Sequence, residues 1–439
     1  MTNLRQLPHK SVLGLAWPMI LSNISVPLLG IVDTAILGHL PSPVYLSAVA
    51  LGASLLSMIF WSFGFLRMGT TSLTAQAFGQ KNHEEVETLL VRSLQLALAV
   101  GVLLALFRTP IINFAITLMQ PSDITFELAN RYGQIRMLSA PLVLANVVIL
   151  GWFIGRQNTR VPLVLLVATN LANLILDVVF IWGLKLNSDG AALATVCADS
   201  IGFMLGLFFV TRSLPNWKLG LGRHLRLRWT AFKPLLLINQ HLFVRTLCLL
   251  TSLIFFNAQG AQMGDITLAS NAIIFQLLMI CSYGLDGIAH ASEALIGNSV
   301  GAKQAQKTRQ YIITTGIWSL VIATAMTVVF GVSKHWLIPL FTNIAAIEET
   351  LNIYYSWIIA LPLICVWGYW LDGVFIGAGE TKTMQKTMLF SVALVFFPVW
   401  FVTQKYGNHG LWLAFSLFSL SRGASLALYL PSLIKIRAH

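Results

Sequence analysis

Two short segments decide the fold: "LGWFIGRQNTR" at 150–160 and "DGVFIGAGETK" at 372–382. They lie 222 residues apart and share Gly151/Gly373, Phe153/Phe375, Ile154/Ile376, Gly155/Gly377 and Thr159/Thr381. The same offset pairs Leu46 with Leu268, Leu56 with Leu278, Gly79 with Gly301 and Lys81 with Lys303. A spacing held across separate segments is the mark of internal duplication. The chain is therefore built from two copies of one design.

Composition says what the copies are made of. The 439 residues are 56% hydrophobic and only 10% charged, with a mean hydropathy of +0.76. A soluble domain carries about a quarter charged residues, so this chain is an integral membrane protein. A helical span needs roughly 20 apolar residues. Twelve such segments are expected, spans 1 to 12 in order: 11–37, 44–70, 88–107, 132–155, 161–184, 190–211, 234–258, 268–293, 310–333, 352–377, 384–404 and 409–431. The fold class that follows is an all-α integral membrane protein of twelve transmembrane helices in two pseudo-symmetric six-helix lobes. An even number of spans per repeat returns each copy in the same orientation, giving parallel repeats. The lobes are expected at 1–211 and 234–439, with a basic cytoplasmic linker at 212–233.

The net charge of +12 follows this topology. With the N-terminus inside, Arg108, Arg131, Lys185, Lys334 and Lys405 fall outside, and Arg67, Arg136, Arg245 and Arg422 fall within spans. The other Lys and Arg residues collect at inner ends, as the positive-inside rule requires. The charge orients the chain and meets membrane lipids; no nucleic-acid partner is expected. No small-residue cleavage site follows the first span, so no signal peptide is expected. Cys197, Cys248, Cys281 and Cys365 stand singly in apolar segments and suggest neither a disulfide frame nor a metal site.

Ionisable groups inside a bilayer are costly and mark function by default. In "NLANLILD" (170–177), Asn170, Asn173 and Asp177 fall at i, i+3 and i+7, one stripe of a helix. Asp33 on span 1 and Thr195 on span 6 lie at comparable depth in the outer half, and Asn146 on span 4 lies near the middle. Two carboxylates in one apolar pocket cannot both ionise cheaply, so Asp33 and Asp177 are expected to form a proton-binding site. The bland reading of Asp177 is a packing role, bonded to neighbouring hydroxyls and amides. Asp199, also on span 6, divides evenly between function and packing. Arg245, Asp286 and Asp372 in the second half are expected to form a buried ionic network, with Asp372 a minor candidate for ion coupling. Proline inside a helix removes a backbone hydrogen bond, so Pro18 and Pro27 mark a bendable segment upstream of Asp33; a static kink is the alternative. No catalytic constellation is present, and an enzyme is not expected.

These motifs resemble a known family. "WPMILSNISVPLLGIVDTAILGHL" (17–40), "TAQAFGQKN" (74–82), "APLVLANVVILGWFIGRQNTRVPL" (140–163), "NLANLILDVVFIWGL" (170–184) and "FVRTLCLL" (243–250) together resemble the multidrug and toxic compound extrusion (MATE) transporters, DinF-type branch. The resemblance covers essentially the whole chain. It implies efflux of small amphipathic, often cationic compounds in exchange for H+ or Na+, with no further cofactor. It points to Asp33, Asn146, Asn173, Asp177 and Thr195 as the coupling cluster. In the NorM-type branch the acids lie in the second lobe, where only Asp372 offers an echo; span 7 carries Arg245 and no carboxylate. The sequence reading is therefore a proton-coupled antiporter in a bacterial inner membrane. It is expected to have both termini cytoplasmic and to act as a monomer. A lipid-linked precursor flippase and Na+-coupled antiport are the alternatives.

Overall fold

The computed structural model describes residues 7–38, 43–214 and 229–436, without the side chains of 26–35, 37–38, 43, 229–231 and 435–436. The described residues form helices joined by short turns, with no strand. The first half runs α1 (His9–Gly38), α2 (Pro43–Ser62), α3 (Phe65–Gly79), α4 (His83–Leu106), α5 (Arg108–Thr117), α6 (Asp123–Met137), α7 (Ala140–Gly155), α8 (Arg160–Asp177) and α9 (Asn187–Ser213). The second runs α10 (Trp229–Gln262), α11 (Asp265–Gly301), α12 (Ala305–Val332), α13 (Lys334–Phe341), α14 (Ala345–Ala378), α15 (Thr381–Phe390), α16 (Phe397–Thr403) and α17 (Asn408–Ile436). Among the described residues ten helical stretches are long and apolar enough to cross a membrane, and α6 with α7 makes an eleventh, bent by 52°. The 30-residue α1, only partly described, stands beside these.

Helices outrun the apolar segments read from sequence. The second span reaches Gly79 and the eighth reaches Gly301, about two turns beyond the hydrophobic stretch, because a helix continues into the polar interface for as long as its backbone bonds are satisfied. The break in the fourth span has a local cause. Pro141 supplies no N–H to the carbonyl of Met137, and α6 ends there. By contrast α1 runs unbroken through both Pro18 and Pro27.

The chain forms two compact units. One comprises Leu21–Thr74 and Asn82–Leu236; the other comprises Met1–Ile20, Ala75–Lys81 and Leu237–His439. The first is filled around Leu56, Ile112, Ile116, Met137 and Ile181. The second centres on an aromatic cluster in which Phe256, Phe275, Trp412 and Phe415 pack edge to face, a geometry that aromatic quadrupoles favour.

The duplication reappears as repeated contacts. A Cβ on Gly151 would lie 2.6 Å from the carbonyl of Arg67, and a Cβ on Gly373 would lie 2.6 Å from that of Ala289, its counterpart at the same offset. Both crossings are so close that only glycine fits, the usual device for joining helices in lipid. Lys81 and Lys303, also counterparts, both take left-handed backbone at φ 58° and 55°. Within the second unit the repeats meet reciprocally. A Cβ on Gly79 would come within 2.0 Å of the Asn298 carbonyl, and one on Gly301 within 2.0 Å of the Gln76 carbonyl. Each residue meets the counterpart of the other's partner, the self-complementary pattern that a two-fold relation produces. Gln76 Nε2 adds a hydrogen bond of 3.1 Å to the carbonyl of Gly377.

Candidate functional site

The polar stripe on α8 lies against α9 and α1. Asn173 and Asp177 are each only 2% exposed. Helix α8 brings them to one face because residues four apart are neighbours one turn on. Asn173 Nδ2 donates to Thr195 Oγ1 at 3.1 Å, and that hydroxyl donates to the Ala191 carbonyl at 2.9 Å. Asn173 Oδ1 accepts no hydrogen bond among the described residues. One turn earlier, Asn170 Nδ2 donates to Ser25 Oγ of α1 at 3.1 Å. A π-helical turn, Val178–Gly183, begins directly after Asp177. Such wide turns recur at functional sites.

Asn146 and Asp199 take a different place. Asn146 Nδ2 donates to the backbone carbonyl of Asp199 at 3.1 Å, so it ties α7 to α9 through the main chain. The Asp199 carboxylate is held by Arg136 of α6, Nη1 to Oδ2 at 2.7 Å. Ser139 Oγ lies 2.9 Å from the same oxygen. The structure thus brings together Asn173, Thr195 and, on the same face of α8, Asp177, and gives Asp199 a guanidinium of its own. The side chains of Asp33 and Pro27 lie outside the described residues; the backbone of both belongs to α1.

In the second unit, Asp372 of α14 sits between two arginines. Arg422 Nη2 lies 2.8 Å from Oδ2, and Arg245 Nη2 bonds the same oxygen. Arg245 is 6% exposed. Of the three residues expected to form a network, Arg245 and Asp372 are joined, and Arg422 from the last helix, which was not in that set, completes the pair of guanidiniums. Asp286, half-buried on α11, lies within electrostatic range of Tyr283 and of Tyr369 on α14. Sequence reasoning also passed over Glu293. It was placed at the end of its span, but α11 continues for eight residues beyond it, and the side chain is 2% exposed with His290 Nδ1 3.6 Å away. The one available signal was an acid in "HASEALIG" (290–297), an otherwise uncharged stretch apart from its histidine. Among the described residues no three His, Cys, Asp or Glu side chains converge as a metal site would require.

A multi-helix membrane protein made of duplicated halves, with buried amides and acids in both, has the build of a transporter. The MatE family model matches the chain twice, over 18–179 and 242–402, one match in each repeat. The chain belongs to that family. It is 42% identical over 420 residues to the DNA damage-inducible protein F of Escherichia coli strain K12, covering 95% of this chain and 91% of that one. It is 24% identical over 412 residues to the probable multidrug resistance protein NorM of Thermotoga maritima, covering 92% and 87%. A crystal structure of a MATE protein in a straight conformation superimposes with a TM-score of 0.88 at 20% identity, covering 99% of this chain and 98% of that one. The protein is accordingly a multi-pass membrane transporter and not an enzyme.

Proposed function

We propose that the protein is a proton-coupled antiporter. It exports small amphipathic, often cationic compounds across a bacterial inner membrane by alternating access, with both termini cytoplasmic. Its relatives include the multidrug export protein MepA of Staphylococcus haemolyticus, which favours this reading over a lipid flippase. Proton exchange is assigned to Asp177 with Asp33, supported by Asn173 and Thr195. Protonation of Asp33 biases α1 between its straight and bent forms at Pro18 and Pro27.

One observation carries the choice of site. Asp177, 2% exposed, stands one turn from the Asn173 amide, whose Oδ1 accepts no hydrogen bond among the described residues. A proton on Asp177 supplies a donor, and its loss removes it. A buried acceptor left without a partner is costly, so the amide favours the protonated form. H+ is preferred to Na+ for a related reason. A hard cation gathers several oxygens, but Thr195 Oγ1 is already bonded to Asn173 and Ala191. In the second unit two tethered guanidiniums occupy Asp372 Oδ2, where a metal cation would bind.

The test is substrate-driven proton movement in proteoliposomes for the wild type, Asp177→Asn and Asp33→Asn. Both variants are expected to fold and to lose coupled export, because an amide mimics the protonated acid without cycling. Undiminished proton exchange in both variants refutes the assignment.

A further inference from the structure

We propose that Arg136 is a positioning residue for the polar site. By fixing Asp199 as a carboxylate, it keeps that acid out of the set of groups that exchange protons. The inference rests on the reading of Asp177, Asn173 and Thr195 given above.

Asp199 follows Thr195 by one turn of α9, a rise of about 6 Å. A second acid one turn along the same helix is the next candidate to exchange protons with the site. A carboxylate in lipid-depth surroundings without a counter-charge takes up a proton rather than stay ionised. Asp199 is spared this by a purpose-built clamp. The side chains of Arg136 and Asp199 are only 12% and 15% exposed. Nη1 of Arg136 reaches both Asp199 Oδ2 at 2.7 Å and Ser139 Oγ at 2.9 Å.

The clamp stands where the fourth span breaks. Pro141 ends α6 at Met137 and turns the chain by 52°. That break puts Arg136 in the last turn of α6 and the fully buried Ser139 in the corner, both facing α9. The guanidinium lies 6.0 Å from the ring centroid of Phe60 on α2, which shields its far side. Asn146 holds the Asp199 backbone from α7. Side chain and main chain of Asp199 are thus both held one turn from Thr195, which accepts from Asn173 at 3.1 Å.

Other charged or titratable groups stand on the elements around Asp199; α9 itself also carries Cys197 and, in its last turn, Arg212. On α6, Arg131 pairs with Asp189 at the start of α9 at 2.7 Å, Tyr132 lies one turn before Arg136, and Asp123 and Glu127 stand in its first half. Helix α8 contributes Asp177 and, at its inner end, Arg160. Helix α7 contributes none, and α2 only Tyr45. Asp33 belongs to α1, its side chain outside the described residues.

The experiment counts protons released per substrate. Purified full-length protein is reconstituted in liposomes with a pH-sensitive dye, and ethidium is the transported probe. Arg136→Gln strands Asp199 without its charge partner, and the ratio is expected to rise by up to one proton per ethidium. The neutral pair Arg136→Gln/Asp199→Asn keeps amide-to-amide hydrogen bonding and is expected to show the wild-type ratio and export within about twofold of it. A merely structural pair would lower the rate of Arg136→Gln and leave its ratio unchanged, which overturns the proposal. A double variant that releases fewer protons than wild type also overturns it, because Asp199 was then exchanging protons all along. If Arg136→Gln does not fold, Arg136→Met, an unbranched uncharged side chain that fills similar space, takes its place with the same rise in the ratio expected. Failure of the underlying site looks different, since Asp177→Asn would then keep the wild-type ratio.

Discussion

Replacing Asp372 with asparagine separates a structural acid from a coupling acid. The carboxylate is shared by Arg245 and Arg422, and the three side chains are 7–13% exposed. The amide is nearly isosteric with the carboxylate it replaces, so no cavity opens, and the loss is electrostatic. Removing one partner of a buried ion pair costs about 3–5 kcal/mol, because the charge left behind remains desolvated. Here two guanidiniums are left facing a neutral amide, which places the expected cost at the upper end of that range. Against a total stability of about 5–15 kcal/mol, such a loss depletes the folded population. The assay pairs two readings: the melting midpoint of the detergent-purified protein, followed by size-exclusion, and ethidium export per folded molecule in liposomes. The expected result is a melting midpoint lowered by several degrees with export per folded molecule within about threefold of wild type. An unchanged midpoint with abolished export would refute the structural reading and make Asp372 the ion-coupling group.

Further expectations follow from packing and hydrogen bonding. Gly301→Ala places a methyl 2.0 Å from the Gln76 carbonyl, and the helices must part, at about 1–3 kcal/mol; Gly331→Ala, which meets nothing within 4 Å, is the matched control and should melt as wild type. Asn271 and Asn408 exchange hydrogen bonds of 2.8 and 2.9 Å, and Trp412 Nε1 donates to Asn271 Oδ1 at 2.9 Å. Asn271→Ala strands these donors in an apolar core and should destabilise by about 1–3 kcal/mol, with Asn408→Ala no more severe. Both are read from melting midpoints.

Much of the architecture was legible because its causes are local. Apolar runs long enough to span lipid, clusters of basic residues between them and a constant 222-residue offset are properties of the string itself. The glycines of that repeat acquire their meaning in space, where Gly151 and Gly373 turn out to be crossing points against counterpart carbonyls. Asn170, Asn173 and Asp177 were readable as one face because helical periodicity places them there. Their partners were less accessible: Thr195 is 22 residues from Asn173, and Ser25 is 145 from Asn170. Arg245 and Asp372 were read as one network, but two other arginine assignments were hidden. Arg136 meets Asp199 across 63 residues, and Arg422 meets Asp372 across 50. No spacing rule links such pairs, and only the crossing of helices decides which acid each cation neutralises. The break at Leu138–Ser139 escaped because Pro141 was read as part of one continuous span, and it is that break which delivers Arg136 to Asp199.

The central claim is that Asp177, with Asp33, exchanges the coupling proton. The most direct measurement follows a lumenal pH dye in proteoliposomes when ethidium is added under an imposed pH gradient, with and without Na+. Wild type, Asp177→Asn and Asp33→Asn are compared at equal folded protein. The account predicts ethidium-driven proton movement in the wild type, independent of Na+ and lost in both variants. Proton movement that survives in both variants, or a wild-type response that requires Na+, contradicts it.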